Sequence, residues 1–243
     1  MVMLFVALVY TYVWSVVVKL VFIFFWYFFA WDIDTRPPNE RTYSLACGML
    51  SGTVFEVSRA YIYFWPEYEG KSSWEKGFEN NKKGCGAHFT TLSLEVIWPS
   101  MTPAYTLEFG EKRTPGYLNI LIDPVEISGA GSSTLIDTSL DYFNVRSDQR
   151  GQFNESLGLF YSLHGQNIIR DKRLAVYWEK NGLSTDVVIH CSFIRMEELY
   201  TCTQIWLKID IKSYIRVDYA PTMLSNWKSI KNDVEHFIDA HKK

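Results

Sequence analysis

The sequence predicts an α+β fold: predominantly antiparallel β-sheet with a C-terminal amphipathic helix, preceded by an N-terminal transmembrane helix. Three observations predict it. Runs such as Thr91–Trp98 alternate apolar and polar residues, which puts Leu92, Leu94, Val96 and Trp98 on one face at the period of a strand. Met223, Leu224, Trp227, Ile230, Val234, Phe237 and Ile238 recur at spacings of three and four, a single stripe along a helix. Residues 1–30 carry one charge, Lys19, in an otherwise apolar run.

That run comes first in the chain. As a helix, thirty residues extend about 45 Å at 1.5 Å per residue, against roughly 30 Å of bilayer hydrocarbon. It is too long for one upright span, and a lysine at mid-membrane costs about 2.5–3.5 kcal/mol. Lys19 therefore belongs near an interface. Translation starting near Val17 or Val18 would place Lys19 just ahead of Leu20–Ala30, the order of a signal peptide or signal anchor. Residues 1–31 are thus expected to contact the lipid bilayer as an anchor or uncleaved signal. Residues 32–42, DIDTRPPNERT, are polar with a Pro-Pro pair and read as a stiff linker.

Residues 43–243 read as one α+β domain, with two lobes as an option if the Gly/Ser-rich stretch 128–139 separates them. Before that stretch the expected strands are Val54–Val57, Ala60–Trp65, Thr91–Trp98 and Tyr117–Ile122. Residues 67–84 are charged and punctuated by glycine, a long excursion with one helical turn at Ser73–Phe78. After the stretch, Gly158–Leu163, Leu174–Lys180, Asp186–Ser192 and Thr201–Ile211 form a meander, with Asn181-Gly182 as a tight turn because both residues tolerate positive φ. Tyr214–Tyr219 is the last strand. The final helix spans roughly 222–240, with Pro221 where a first-turn proline is tolerated.

All four cysteines, Cys47, Cys85, Cys191 and Cys202, follow the apolar run. An even count on one side of a membrane fits disulfides in an oxidising compartment. If the meander strands pair with Cys191 opposite Cys202, those sulfurs meet across the ladder, and Cys47 with Cys85 follows by elimination. Flanking charge is ambiguous about orientation, since Arg36 and Arg41 oppose Lys19. The cysteines place the domain outside the cytoplasmic membrane. The formal net charge is −3, and without Lys19 it is −4 from Asp32 onward, which argues against nucleic acid as a partner.

Catalytic patterns are weak. Cys85 with His88, and His190 with Cys191, lack the spacing of a closed metal site, and no CxxC occurs. A cysteine nucleophile using His88 or His164 would oxidise in an exported domain. Ser132 and Ser133 lack the order of a nucleophile elbow. Asp123, Glu126, Asp137 and Asp141 show no spacing that singles out a paired-acid site. Asn154-Glu155-Ser156 matches a glycosylation sequon, meaningful only in a eukaryotic secretory pathway. No cofactor, metal or catalytic residue is assigned, and the expected protein is not an enzyme. The block Phe64 to Trp74 is more suggestive. Trp65, Glu67, Tyr68, Glu69 and Trp74 set aromatics among acids, the chemistry of a protein interface, although tryptophans packed in a core with a charged rim would read the same.

Three segments carry a resemblance: WPEYEGKSSWEKGF with KKGC at 65–85, VVIHC with YTC at 187–202, and the terminal YAPTMLSNWKSIKNDVEHFI. Together they resemble uncharacterised membrane-anchored bacterial periplasmic proteins, some similar to immunity proteins against type VI secretion toxins. The resemblance implies a single-pass inner-membrane protein with its domain in the periplasm. It also implies a protein partner, a toxin encoded by an adjacent gene, neutralised by direct binding. A structural or assembly component of the cell envelope is the alternative.

Overall fold

A computed structural model describes residues 44–62, 65–72, 74–104, 115–125, 135–167, 172–179, 187–193 and 199–243. The chain divides into two units, Met1–Glu40 and Arg41–Lys243, and every described residue lies in the second. The expected anchor, the linker, the Asn181-Gly182 turn, Ser132, Ser133 and Glu126 lie outside the described residues. Among the described residues, no helix is long and apolar enough to cross a membrane.

The second unit opens with a hairpin, β1 (Leu45–Leu50) and β2 (Thr53–Ser58), joined by two residues. Ser51 and Gly52 both have positive φ, 49° and 87°, the backbone that lets a two-residue turn follow the twist of its strands. Of the expected strand Ala60–Trp65, the described residues 60–62 and 65 are not in a strand. Ser58 Oγ accepts from the Ala60 amide and starts a 3-10 turn over Arg59–Tyr61, so local capping overrides the β-prone composition.

The remaining strands are β3 (Glu67–Tyr68), β4 (Phe89–Ile97), β5 (Thr102–Pro103), β6 (Tyr117–Pro124), β7 (Gln152–Asn154), β8 (Leu159–Asn167), β9 (Lys172–Glu179), β10 (Val187–Phe193), β11 (Leu199–Lys208) and β12 (Ser213–Tyr219). They form an antiparallel sheet in the order β3-β4-β6-β12-β11-β10-β9-β8-β7, with β5 on β4. The chain leaves β6 for the far edge, forms α1 (Leu135–Tyr142), then returns strand by strand until β12 pairs with β6. The strands before and after the Gly/Ser-rich stretch therefore share one sheet. Leu135, Ile136 and Leu140 build α1 at the end of that stretch.

Period-two alternation sends residues to two faces. Leu92, Leu94, Val96, Leu118, Ile120, Ile122, Ile215, Val217, Trp206 and Ile189 bury on one face with Phe55 and Val57 of β2 and the stripe of α2 (Trp227–Ala240). The other face buries Leu174, Val176, Trp178 and Val188 against Ile136 and Leu140 of α1 and Phe143 and Val145 beyond it. A 3-10 turn at Pro221–Asn226 leads into α2. Three polar side chains fasten that helix. Gln204 donates from Nε2 to the Trp227 carbonyl at 3.2 Å and accepts the Tyr219 hydroxyl at 3.2 Å, while Trp227 Nε1 donates to the Leu157 carbonyl at 2.9 Å. Past α2, the Lys243 amide donates to the Val54 carbonyl and the Glu56 amide to the His241 carbonyl, so the C-terminal residues pair antiparallel with β2.

One of the two disulfides follows from this register. Cys191 and Cys202 are direct partners on β10 and β11, both fully buried. Cys47 on β1 bonds Cys85, 38 residues later and exposed.

Candidate functional site

The aromatic and acidic block becomes a loop that leaves the sheet after β3 and returns at β4. Its base is fixed in three ways. Tyr68, only 5% exposed, stacks on Phe89 with ring centroids 4.8 Å apart and donates its hydroxyl to the Cys47 carbonyl at 2.9 Å. The Glu69 amide donates to the His88 carbonyl, and the Met49 amide to the Ala87 carbonyl. The Cys47–Cys85 bond then ties the returning strand to β1.

Above the base, side chains replace a core. Asn81 Oδ1 accepts from the Lys71 amide at 3.0 Å, and its Nδ2 donates to the Lys71 carbonyl at 2.7 Å, so one amide group closes the neck. Gly70 runs beside it at φ +124°, and a Cβ there would sit 2.6 Å from Asn81 Oδ1. Glu75 Oε2 accepts from the Ser72 amide, and Lys71 Nζ donates to the Lys76 carbonyl. The helical turn falls at Phe78–Asn80 rather than Ser73–Phe78. Phe78 meets Trp65 edge to face, Arg59 lies over Trp65, and Lys83 lies over Phe78.

The five residues of the expected interface therefore part company. Tyr68 is core. Trp65 and Glu67 are half-buried at the loop base. Glu69 is exposed, and Trp74 stands at the tip with 87% of its surface in solvent. Hydropathy alone cannot separate Tyr68 from Trp74. The signal that separates them is alternation, since Tyr68 falls on the inward side of a strand and Trp74 between Ser72 and Glu75.

The chemical alternatives resolve differently. Cys47 Sγ, Cys85 Sγ and a Glu56 carboxylate oxygen lie within 4.8 Å of one another, but the two sulfurs are bonded together and offer no thiolate. Asp123 accepts the Thr91 hydroxyl at 2.7 Å, and Asp141 pairs with Arg150 at 2.6 Å, so each serves its own local structure.

His190 lies on the sheet face that carries the second core, its ring 4.6 Å from that of Phe143 and its Nδ1 buried without a hydrogen-bond partner. Burial, with the Arg216 charge as the lesser cause, pushes the imidazole down to about 4. It is neutral at pH 7. Because its folded value lies below the unfolded value near 6.5, the unfolded chain takes up the proton first. Stability from this site is complete above about pH 6.5 and is lost as pH falls towards 4, at about 1.4 kcal/mol per pH unit. His190→Gln should flatten the unfolding free energy between pH 6.5 and 4, measured by urea titration at each pH. An unchanged slope would show that His190 does not carry it.

No family model and no curated protein sequence matches the chain. Two solved structures are similar in backbone. One is Smlt3025, an immunity protein of the Stenotrophomonas maltophilia type IV secretion system, at 16% identity and a TM-score of 0.48, covering 82% of this chain and 94% of the other. The second is FrpD, an iron-regulated outer membrane lipoprotein of Neisseria meningitidis, at 10% identity and a TM-score of 0.45, with the same coverages of 82% and 94%.

Proposed function

We propose that this chain is a membrane-anchored periplasmic binding protein, and most concretely an immunity protein that neutralises a secreted antibacterial effector by direct binding. The observation that carries the location is the pair of disulfides in a domain that follows a thirty-residue apolar run. Thiols paired this way persist in an oxidising compartment, and the run supplies either export or attachment. Binding is supported by the side-chain-locked loop that holds Trp74 in solvent. The toxin, and a type VI route for it, rest on the resemblance of the three sequence segments.

The test is expression of the adjacent reading frame in the periplasm, with and without this protein. Growth arrest by the neighbour alone, relieved by co-expression, is the expected result. A neighbour that is harmless, or that still kills in the presence of this protein, ends the immunity reading. Disruption of the envelope on deletion in a strain without the neighbour would favour a structural role instead.

A further inference from the structure

We infer that Trp74 is the anchor of the binding surface, a single indole that enters an apolar socket on a folded protein partner. The inference rests on the binding-protein reading and specifies the partner's chemistry.

The loop that bears that ring spends its polar groups on its own backbone. Asn81 clamps both backbone polar groups of Lys71, Glu75 caps the Ser72 amide, Lys71 Nζ is tied to the Lys76 carbonyl, and Lys83 sits over Phe78. A segment locked before binding loses little freedom on binding, and tryptophan is among the residues most often found as an interface hot spot. The disulfide at Cys85 and the stacked Tyr68–Phe89 pair fix the base of the loop to β1 and the sheet.

Charge decides the class of partner. Between Glu67 and His88 four lysines, Lys71, Lys76, Lys82 and Lys83, balance four glutamates, Glu67, Glu69, Glu75 and Glu79. A neutral mount has no purchase on a nucleic-acid backbone or an anionic headgroup layer, both of which are bound through clustered positive charge. It suits a protein socket with an apolar floor and a mixed rim.

The experiment places a photocrosslinker by Trp74→benzoylphenylalanine in the full chain, expressed in its source cells, with a second chain carrying it at the exposed Glu155 as control. A discrete protein adduct from position 74 alone is expected, identified by mass spectrometry and then purified. That protein should bind the unmodified chain and bind Trp74→Ala at least ~30-fold more weakly, with Trp74→Phe between the two. Asn81→Ala, which frees the neck while leaving the indole, should weaken binding by roughly 3- to 10-fold through lost preorganisation. Far-UV circular dichroism should be unchanged in each variant. Binding by Trp74→Ala within ~3-fold of the parent overturns the inference, as does a lipid adduct alone, the same adduct from both positions, or no adduct. If the adduct is a protein other than the neighbour's product, the immunity reading falls and the anchor stands.

Discussion

Trp227→Ala is expected to lower folding stability by about 3–5 kcal/mol, the usual cost of truncating a large buried aromatic. Whole domains hold only about 5–15 kcal/mol, so this variant should be close to unfolding at 37 °C. The indole is 2% exposed and sits where α2 meets the sheet. Its loss leaves a cavity in the main core and leaves the Leu157 carbonyl without its donor. Two controls separate those terms. Trp227→Phe keeps most of the apolar area and drops the N–H, so it should cost less than the alanine change. Lys228→Ala, one residue on, removes an ion pair with Glu179 at 3.3 Å and a cation over the Trp227 ring, and should cost no more than about 1 kcal/mol. Urea unfolding followed by tryptophan fluorescence and circular dichroism measures all three. A Trp227→Ala midpoint equal to that of Lys228→Ala would mean that α2 does not hold the sheet together.

The same helix shows what a sequence can carry. Trp227, Ile230, Val234, Phe237 and Ile238 are all buried, because a period near 3.6 over successive turns has one geometric solution, while Met223 and Leu224 are buried from the 3-10 turn that replaces the expected first turn of the helix near 222. The meander was legible for a related reason. Each return strand is short, alternating and adjacent in sequence to its partner, so the Cys191–Cys202 pairing could be read from register. Pairing between β6 and β12 could not, since ninety-odd residues separate them and no local pattern records which strands become neighbours. α1 was hidden by the glycines and serines just ahead of it. β1 leaves little local signature although Ser51-Gly52 marks its turn, because Leu45–Leu50 mixes a cysteine and a glycine into the run. Gly48 is there because Phe89 packs on it, and a Cβ would come within 2.6 Å of that ring. Such a contact is tertiary and leaves no trace in neighbouring residues. In the candidate site, composition located the loop correctly. It could not tell that Tyr68 would be spent on the base and Trp74 left outside.

The two disulfides should reduce in order, Cys47–Cys85 first and Cys191–Cys202 only as the sheet opens. Cys85 is exposed on a loop, whereas Cys191 and Cys202 have no exposed surface, and a thiolate must reach a sulfur along its axis to exchange with it. The loops they close are spanned by separations of 38 and 11 residues. In the chain-entropy account these constrain the unfolded state by about 4 and about 3 kcal/mol. Mild dithiol under native conditions should therefore yield two alkylatable thiols, mapped by mass spectrometry to Cys47 and Cys85, in a protein that keeps its sheet but unfolds at lower urea. Cys47→Ala with Cys85→Ala should reproduce that midpoint without reductant. Full reduction should coincide with loss of tertiary signal. Simultaneous release of all four thiols from a still-folded protein would contradict the register that buries Cys191 against Cys202. The combined figure, about 7 kcal/mol, rivals the net stability of a typical domain. A chain made in a reducing compartment should consequently be far less stable than the oxidised protein. The covalent chemistry that suits this fold to an oxidising environment is thus the same chemistry that holds the Trp74 loop to β1.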